Sequence, residues 1–230
     1  MYNLGYWVIF IVFMLLSLGV QRVLTSKFRK YSNEFLPSGL TGKDVAEKML
    51  RENGIYDVQV VSTSGRLTDH YNPTTKTVNL SEEVYRGSSV TAAAVAAHEC
   101  GHAVQHATAY HWLSLRSAMV PVVNIGSRIS QWILIGGLIL MSFSQSPIGH
   151  SILIIGIILF ALTTLFAFIT LPVEYNASNR ALAWLEKSNL ASDMEQSHAK
   201  DALRWAARTY VVAALASLAT LLYYIALARD

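Results

Sequence analysis

Four long apolar stretches constrain this chain more than any other feature. They run from about Leu4 to Leu24, Ala118 to Phe143, Ser151 to Leu171 and Ala206 to Ala228. A helix that crosses a bilayer needs about 20 apolar residues at 1.5 Å rise each, and all four stretches meet that. Inside lipid every main-chain polar group must be satisfied within its own segment, so all four read as helices. Composition agrees. Only 14% of the 230 residues are charged, against about 25% in an ordinary soluble domain. The expected fold is mainly α and membrane-embedded, with four transmembrane helices and a small α+β region outside the bilayer.

The expected division is a first transmembrane helix over 1–24, a soluble region over 25–117, a transmembrane hairpin over 118–171, a second soluble region over 172–205, and a last helix and tail over 206–230. Lys and Arg cluster on the loops that face the cytoplasm. Arg22, Lys27, Arg29, Lys30 and Arg116 flank the first soluble region, and Arg180, Lys187, Lys200, Arg204 and Arg208 lie in or beside the second. The turn from Ser144 to His150 has neither. Both soluble regions are therefore expected in the cytoplasm, under a multi-pass plasma-membrane topology. A cleavable signal peptide over 1–24 would want basic residues before the apolar run, and there are none. Arg128 is the one charge inside the second stretch. It is expected near the interface opposite the 144–150 turn, with its long side chain reaching the headgroups. The competing reading turns it into the bundle.

In the first soluble region a helix is expected from about Gly42 to Asn53, with Thr41 as N-cap and Gly54 as its stop. Val58–Ser62 and Thr75–Leu80 are rich in Val and Thr, and Gly65, Asn72 and Pro73 are turn signals between them. They predict a small antiparallel sheet, with Thr75–Leu80 as a candidate edge strand onto which an extended peptide could pair. An Ala-rich helix follows, capped by Ser88 or Ser89 and running through His106.

That helix carries the string His98-Glu99-Cys100-Gly101-His102. Spacing of four sets both imidazoles on one face, a turn apart, within reach of one metal ion. Glu99, about 100° round from His98, is placed to take a proton from a metal-activated water. A catalytic zinc takes three protein ligands and keeps a fourth position open. The pattern that extends this motif with Gly and His three and six residues after the second His is excluded, because Gln105 and Thr108 stand there. His106 would make three ligands on one straight helix spanning about 12 Å, too long for bonds near 2 Å; its alternative role is a polar contact in the pocket wall. Glu174, in Leu171-Pro172-Val173-Glu174-Tyr175-Asn176, is the stronger candidate. A carboxylate so close to an apolar span is costly unless paired or metal-bound. Pairing with Arg180 is the competing role, and Glu186 and Glu195 are the next candidates.

His98-Glu-Cys-Gly-His-Ala-Val-Gln-His106, Leu171-Pro-Val-Glu-Tyr-Asn-Ala-Ser-Asn-Arg180, Asp69-His-Tyr-Asn-Pro73 and Lys76-Thr-Val-Asn-Leu-Ser81 together resemble the YugP-like membrane zinc metallopeptidases, over nearly the whole chain. More distantly the chain is similar to gluzincin membrane proteases. The likeness implies a zincin-like cytoplasmic domain and one Zn2+ held by His98, His102 and Glu174, with Glu99 catalytic. Those relatives often place an Asp four residues after the ligand Glu to orient a zinc histidine. Ser178 occupies that position, so Ser178, Asn176 or Asn179 is expected to substitute.

The expected function is a zinc-dependent membrane endopeptidase acting on peptides or membrane proteins at the lipid bilayer. The rival readings are a non-catalytic zinc scaffold or chaperone, and a metal transporter or sensor. Candidate donors to the reaction's oxyanion are His70, Tyr71, His198, Arg204 and Tyr210, with His106 as a further pocket residue. Cys100, the only cysteine, is expected to pack rather than react. No basic run interleaved with aromatics points to nucleic acid, and the sequence sets no oligomeric state.

Overall fold

The protein is described by a computed structural model covering residues 2–144 and 147–229. The order is α1 (Tyr2–Tyr31), α2 (Gly42–Glu52), β1 (Gln59–Thr63), β2 (His70–Asn72), β3 (Thr77–Ser81), α3 (Glu82–Arg86), α4 (Val90–Ala107), α5 (His111–Ser144), α6 (Pro147–Lys187) and α7 (Asp193–Arg229). The chain divides into two compact units. One comprises Met1–Gly19, Leu115–Leu171 and Thr209–Asp230, and the other Val20–Ser114 and Pro172–Arg208.

The first unit is helical. Helices α1, α5, α6 and α7 are each long and apolar enough to cross a membrane. Large apolar side chains such as Trp7, Leu15, Ile125, Trp132 and Ile158 are exposed on them, a surface that lipid rather than water would cover. Arg128 is also exposed, which removes the reading that turned it into the bundle. Helices α5 and α6 meet at Gly137, where an added Cβ would lie 2.7 Å from the Leu153 nitrogen. Small residues allow such close approach between helices in lipid, where packing rather than the hydrophobic effect holds them together.

Each of the four helices is longer than its apolar stretch. Helix α1 continues to Tyr31, and α7 begins at Asp193. Helix α6 continues through Pro172 to Lys187. Proline there removes one main-chain donor without ending the helix. Helix α6 starts at Pro147, inside the turn expected over 144–150, and positions 145 and 146 lie outside the described residues.

The second unit is a small α+β body. Helix α2 begins as expected: the Thr41 side chain accepts from Asp44 N, and the Asp44 carboxylate accepts from Thr41 N. The Thr41 hydroxyl and then the Thr41 N–H, both donating to the Asp44 carboxylate, hold its pKa below the ordinary value. Gly54, with φ +72°, follows the helix end in the left-handed conformation that only glycine adopts freely. Ser89 caps α4 through a bond from Ala92 N.

The sheet differs from expectation. Its order is β1-β3-β2, with β1 parallel to β3 and β2 antiparallel to it. The missing strand is His70–Asn72, whose Asn72 and Pro73 had signalled only a turn. The turn is real, because the Asn72 side chain accepts from Thr74 N and Thr75 N. It joins two strands, however, and the reversal it makes returns β3 in the direction of β1. The candidate edge strand Thr75–Leu80 is thus the central strand, and β2 is an edge.

The core lies between α2, α4 and the sheet. Val45, Ala46 and Met49 of α2, Val78 and Leu80 of β3, and Ala94, Ala96, Ala97 and Cys100 of α4 are all essentially inaccessible. Alanine suits α4 because it keeps helix propensity high while letting neighbours approach on every side. Truncating Met49 or Leu80 to alanine would cost about 2–5 kcal/mol.

Candidate metal centre

The site sits where α4 and α6 meet. Gly101 makes that approach close: a Cβ there would lie 2.5 Å from the Ala177 carbonyl oxygen. Gly101 is one residue before His102 and Ala177 three after Glu174. The contact therefore brings the helical histidine pair and the carboxylate together.

His98, His102 and Glu174 form the cluster, with one ligand atom from each lying within 4.8 Å of the others. His98 Nε2 is 3.3 Å from Glu174 Oε2, and His102 Nε2 is 3.6 Å from the same oxygen. Donors about 2.1 Å from a tetrahedral ion stand roughly 3.4 Å apart, so these spacings suit one small cation. His102 and Glu174 are buried and His98 is nearly so.

The hydrogen bonds behind the cluster decide how it presents itself. Gln105, fully buried, donates through Nε2 to Val173 O at 2.8 Å and to Asn176 Oδ1 at 3.0 Å. Both are acceptors, so the amide oxygen must face His102 Nδ1, 3.0 Å away. His102 therefore carries its proton on Nδ1, and in the neutral ring the Nε2 lone pair faces Glu174. A lone pair and a carboxylate aimed at one another repel unless a proton or a metal ion lies between them, and a metal ion there would meet both. Burial disfavours a charged His102, but hydrogen bonding to Glu174 and the charges of Glu174 and Glu99 outweigh it and raise the imidazole pKa. On the other ligand, His98 Nδ1 is 3.1 Å from Ser178 Oγ, the contact expected of that position. Asn176 supports Gln105 and also accepts from Arg180 Nε at 2.8 Å.

Glu99 is buried beside this cluster, and its Oε2 accepts from the main-chain N–H of Tyr71 at 3.0 Å. The Tyr71 hydroxyl reaches His106 Nδ1 at 2.7 Å. Burial raises the phenol pKa, with the charge of Asp57 adding to it. His106 is thus a partner of Tyr71 and not a member of the cluster.

The remaining candidates lie outside this cluster. His70 is exposed and bonds Thr68 O through Nδ1. Arg204 is exposed on α7, and Glu186 is exposed at the end of α6. Glu195 accepts from Ser192 N at the start of α7. His198 pairs with Glu34 and stacks on Tyr31. Tyr210 lies further along α7. Cys100 is fully buried, its Sγ 3.5 Å from Ala46 O, and burial pushes its thiol pKa well up.

Sequence reasoning missed Gln105, the main-chain N–H of Tyr71 and the role of Gly101. Gln105 had one available signal: a lone amide among apolar neighbours, three residues after His102 and so on the adjoining helical face.

Comparison with known proteins agrees with the chemistry of this donor set. No solved structure matches the chain. It is 44% identical over 210 residues, 91% of this chain and 90% of the relative, to the "Putative membrane protease YugP" of Bacillus subtilis (strain 168). Four long apolar helices and that likeness describe a multi-pass membrane protein. Residues 6–229 match the family described as "Putative neutral zinc metallopeptidase", and the chain belongs to that family.

Proposed function

We propose that this protein is a zinc-dependent membrane endopeptidase. The observation that carries the reading is the buried His98, His102 and Glu174 cluster beside a second buried carboxylate, Glu99. His98 Nε2, His102 Nε2 and the Glu174 carboxylate would hold one Zn2+. Bound there, zinc would supply a Lewis acid and lower the pKa of a water towards neutrality.

The protein's own residues do the rest. Glu99 accepts a proton from the attacking water as the new C–O bond forms at the peptide carbonyl. As the C–N bond breaks, Glu99 returns that proton to the leaving amine nitrogen. The N–H of Tyr71 occupies Oε2 and leaves the other oxygen for the proton. Gln105 keeps His102 in the tautomer that offers Nε2, and Ser178, in contact with His98 Nδ1, holds that ring in place.

Substrates on this reading are membrane proteins or peptides that approach the bilayer, and the Lys/Arg distribution favours a plasma-membrane protein with its site on the cytoplasmic side. A scaffold would need no second buried carboxylate beside its metal, and Glu99 argues against that alternative. Purified protein in liposomes should hydrolyse quenched peptides, lose the activity to a chelator and regain it with zinc. Retention of zinc without hydrolysis of any peptide or membrane-protein substrate would favour the scaffold.

A further inference from the structure

The second unit holds a cleft of about 300 Å³ that the metal site does not use. One wall is the last part of α1, with Leu24, Thr25 and Phe28, and the opposite wall is the N-terminal half of α4, with Thr91, Ala92 and Val95. Leu67 and Arg66, from the loop between β1 and β2, stand at its rim. The walls are tied together by bonds from Thr91 Oγ1 to Phe28 O, Val90 N to Glu34 O and Leu36 N to Ser88 O. The cleft is therefore built into the unit.

Its position on α4 is informative. At about 100° per residue, Thr91, Val95, His98 and His102 fall within about 60° of one another around the helix axis. The cleft thus opens on the stripe that carries the histidine pair, upstream of it. Val95 is one turn from Glu99, about 6 Å along the axis, and Thr91 is about 12 Å away. An extended peptide covers that interval with roughly two to four residues. Asp69, also on the lining, is two residues before Tyr71, whose N–H holds Glu99.

The lining is matched to an apolar group. Its charges are largely engaged: Asp69 accepts from Ser81 N and Oγ, and Arg66 pairs with Glu83 at 3.3 Å. What remains is mostly apolar, with Leu24, Phe28 and Val95 beside the hydroxyls of Thr25 and Ser32 and the Arg29 side chain. At the rim Leu67 is 60% exposed and held at φ +57°, a conformation uncommon for a residue with its bulk. Such strain persists where its surroundings or its function require it.

We propose that this cleft is a substrate subsite that selects a bulky apolar side chain, within about four residues of the scissile bond, with Leu67 closing over it. The proposal rests on the peptidase reading and adds to it the class of residue recognised. The volume accommodates a Leu, Phe or Trp side chain with room for main chain. Val95, Phe28 and Leu67 are the specificity-determining residues.

The test separates the two ideas by measuring binding without turnover. Zinc-loaded Glu99→Gln protein in nanodiscs is titrated with short fluorescein-labelled Gly-Ser peptides carrying a single Leu, Phe or Asp. Leu and Phe peptides should bind about 10-fold or more tighter than the Asp peptide, since a large apolar side chain is removed from water. Thr25→Trp, a change at an exposed helical position that fills the cleft, should abolish that preference with zinc content unchanged. Leu67→Asp should reduce it. Equal affinity for all three peptides, or a preference untouched by Thr25→Trp, overturns the proposal. Hydrolysis by the parent protein is followed in parallel. Preference without hydrolysis of these or any other peptide or membrane-protein substrate sinks the peptidase reading and keeps the cleft as an apolar-peptide site, whereas hydrolysis without preference sinks the cleft alone.

Discussion

Tyr71 grips Glu99 with its main chain and His106 with its side chain. The N–H to Oε2 distance is 3.0 Å and the hydroxyl to Nδ1 distance 2.7 Å. Glu99 and His106 are on α4, seven residues apart, so one residue of an edge strand spans two turns of the helix. The phenol therefore fixes β2 against α4 and, through β2, the donor that orients the proposed base.

Tyr71→Phe keeps the main-chain donor and loses the bond to His106. Such a bond is worth about 0.5–1.5 kcal/mol. Peptide hydrolysis should fall by about two- to tenfold in kcat, with zinc content unchanged. His106→Ala should do the same, and the double variant should be no worse than either single one. Steady-state kinetics with metal analysis checks this; additive losses would mean the two residues act separately.

Gln105→Leu removes the acceptor at His102 and leaves Asn176 with one donor fewer. Groups that orient a metal histidine are typically worth 10–100-fold in metal affinity. Zinc affinity should drop by about that factor, measured by competition with a chelating dye. Ser178→Ala should act in the same direction through His98.

Gly101→Ala drives a methyl group against the Ala177 carbonyl. Backbone on both sides leaves no flexible atom to yield, so α4 and α6 must separate. The expected cost is about 1–3 kcal/mol. Thermal unfolding should move down, and zinc occupancy should fall because Glu174 retreats from the histidines.

Cys100 should be inert in the folded protein. Its thiol is fully buried and its pKa is raised, so at pH 8 it carries less thiolate than an exposed cysteine. Iodoacetamide should label it only after denaturation, as read by mass spectrometry. Rapid labelling of the native state would contradict the packing of α4 against α2.

Much of this architecture was legible because its signals are local. Four uncharged or nearly uncharged runs are read from length, and His98 and His102 share a helical face by spacing alone. Glu174 stood out as a carboxylate placed beside an apolar span, where it needs a partner. What escaped depends on tertiary context. Strand β2 has three residues, too few to show an alternating pattern, and its existence decides which strand lies at the sheet edge. Gln105 is polar, but its value lies in acceptors on α6, far away in sequence.

The central claim is that His98, His102 and Glu174 grip one metal ion and that Glu99 works without holding it. Zinc content per chain, measured by mass spectrometry on purified protein and on single variants, tests this most directly. The account predicts one zinc in the parent and in Glu99→Gln, and substantial loss in His98→Ala, His102→Ala and Glu174→Ala. Full zinc retention in Glu174→Ala, or loss of the metal in Glu99→Gln, would contradict it.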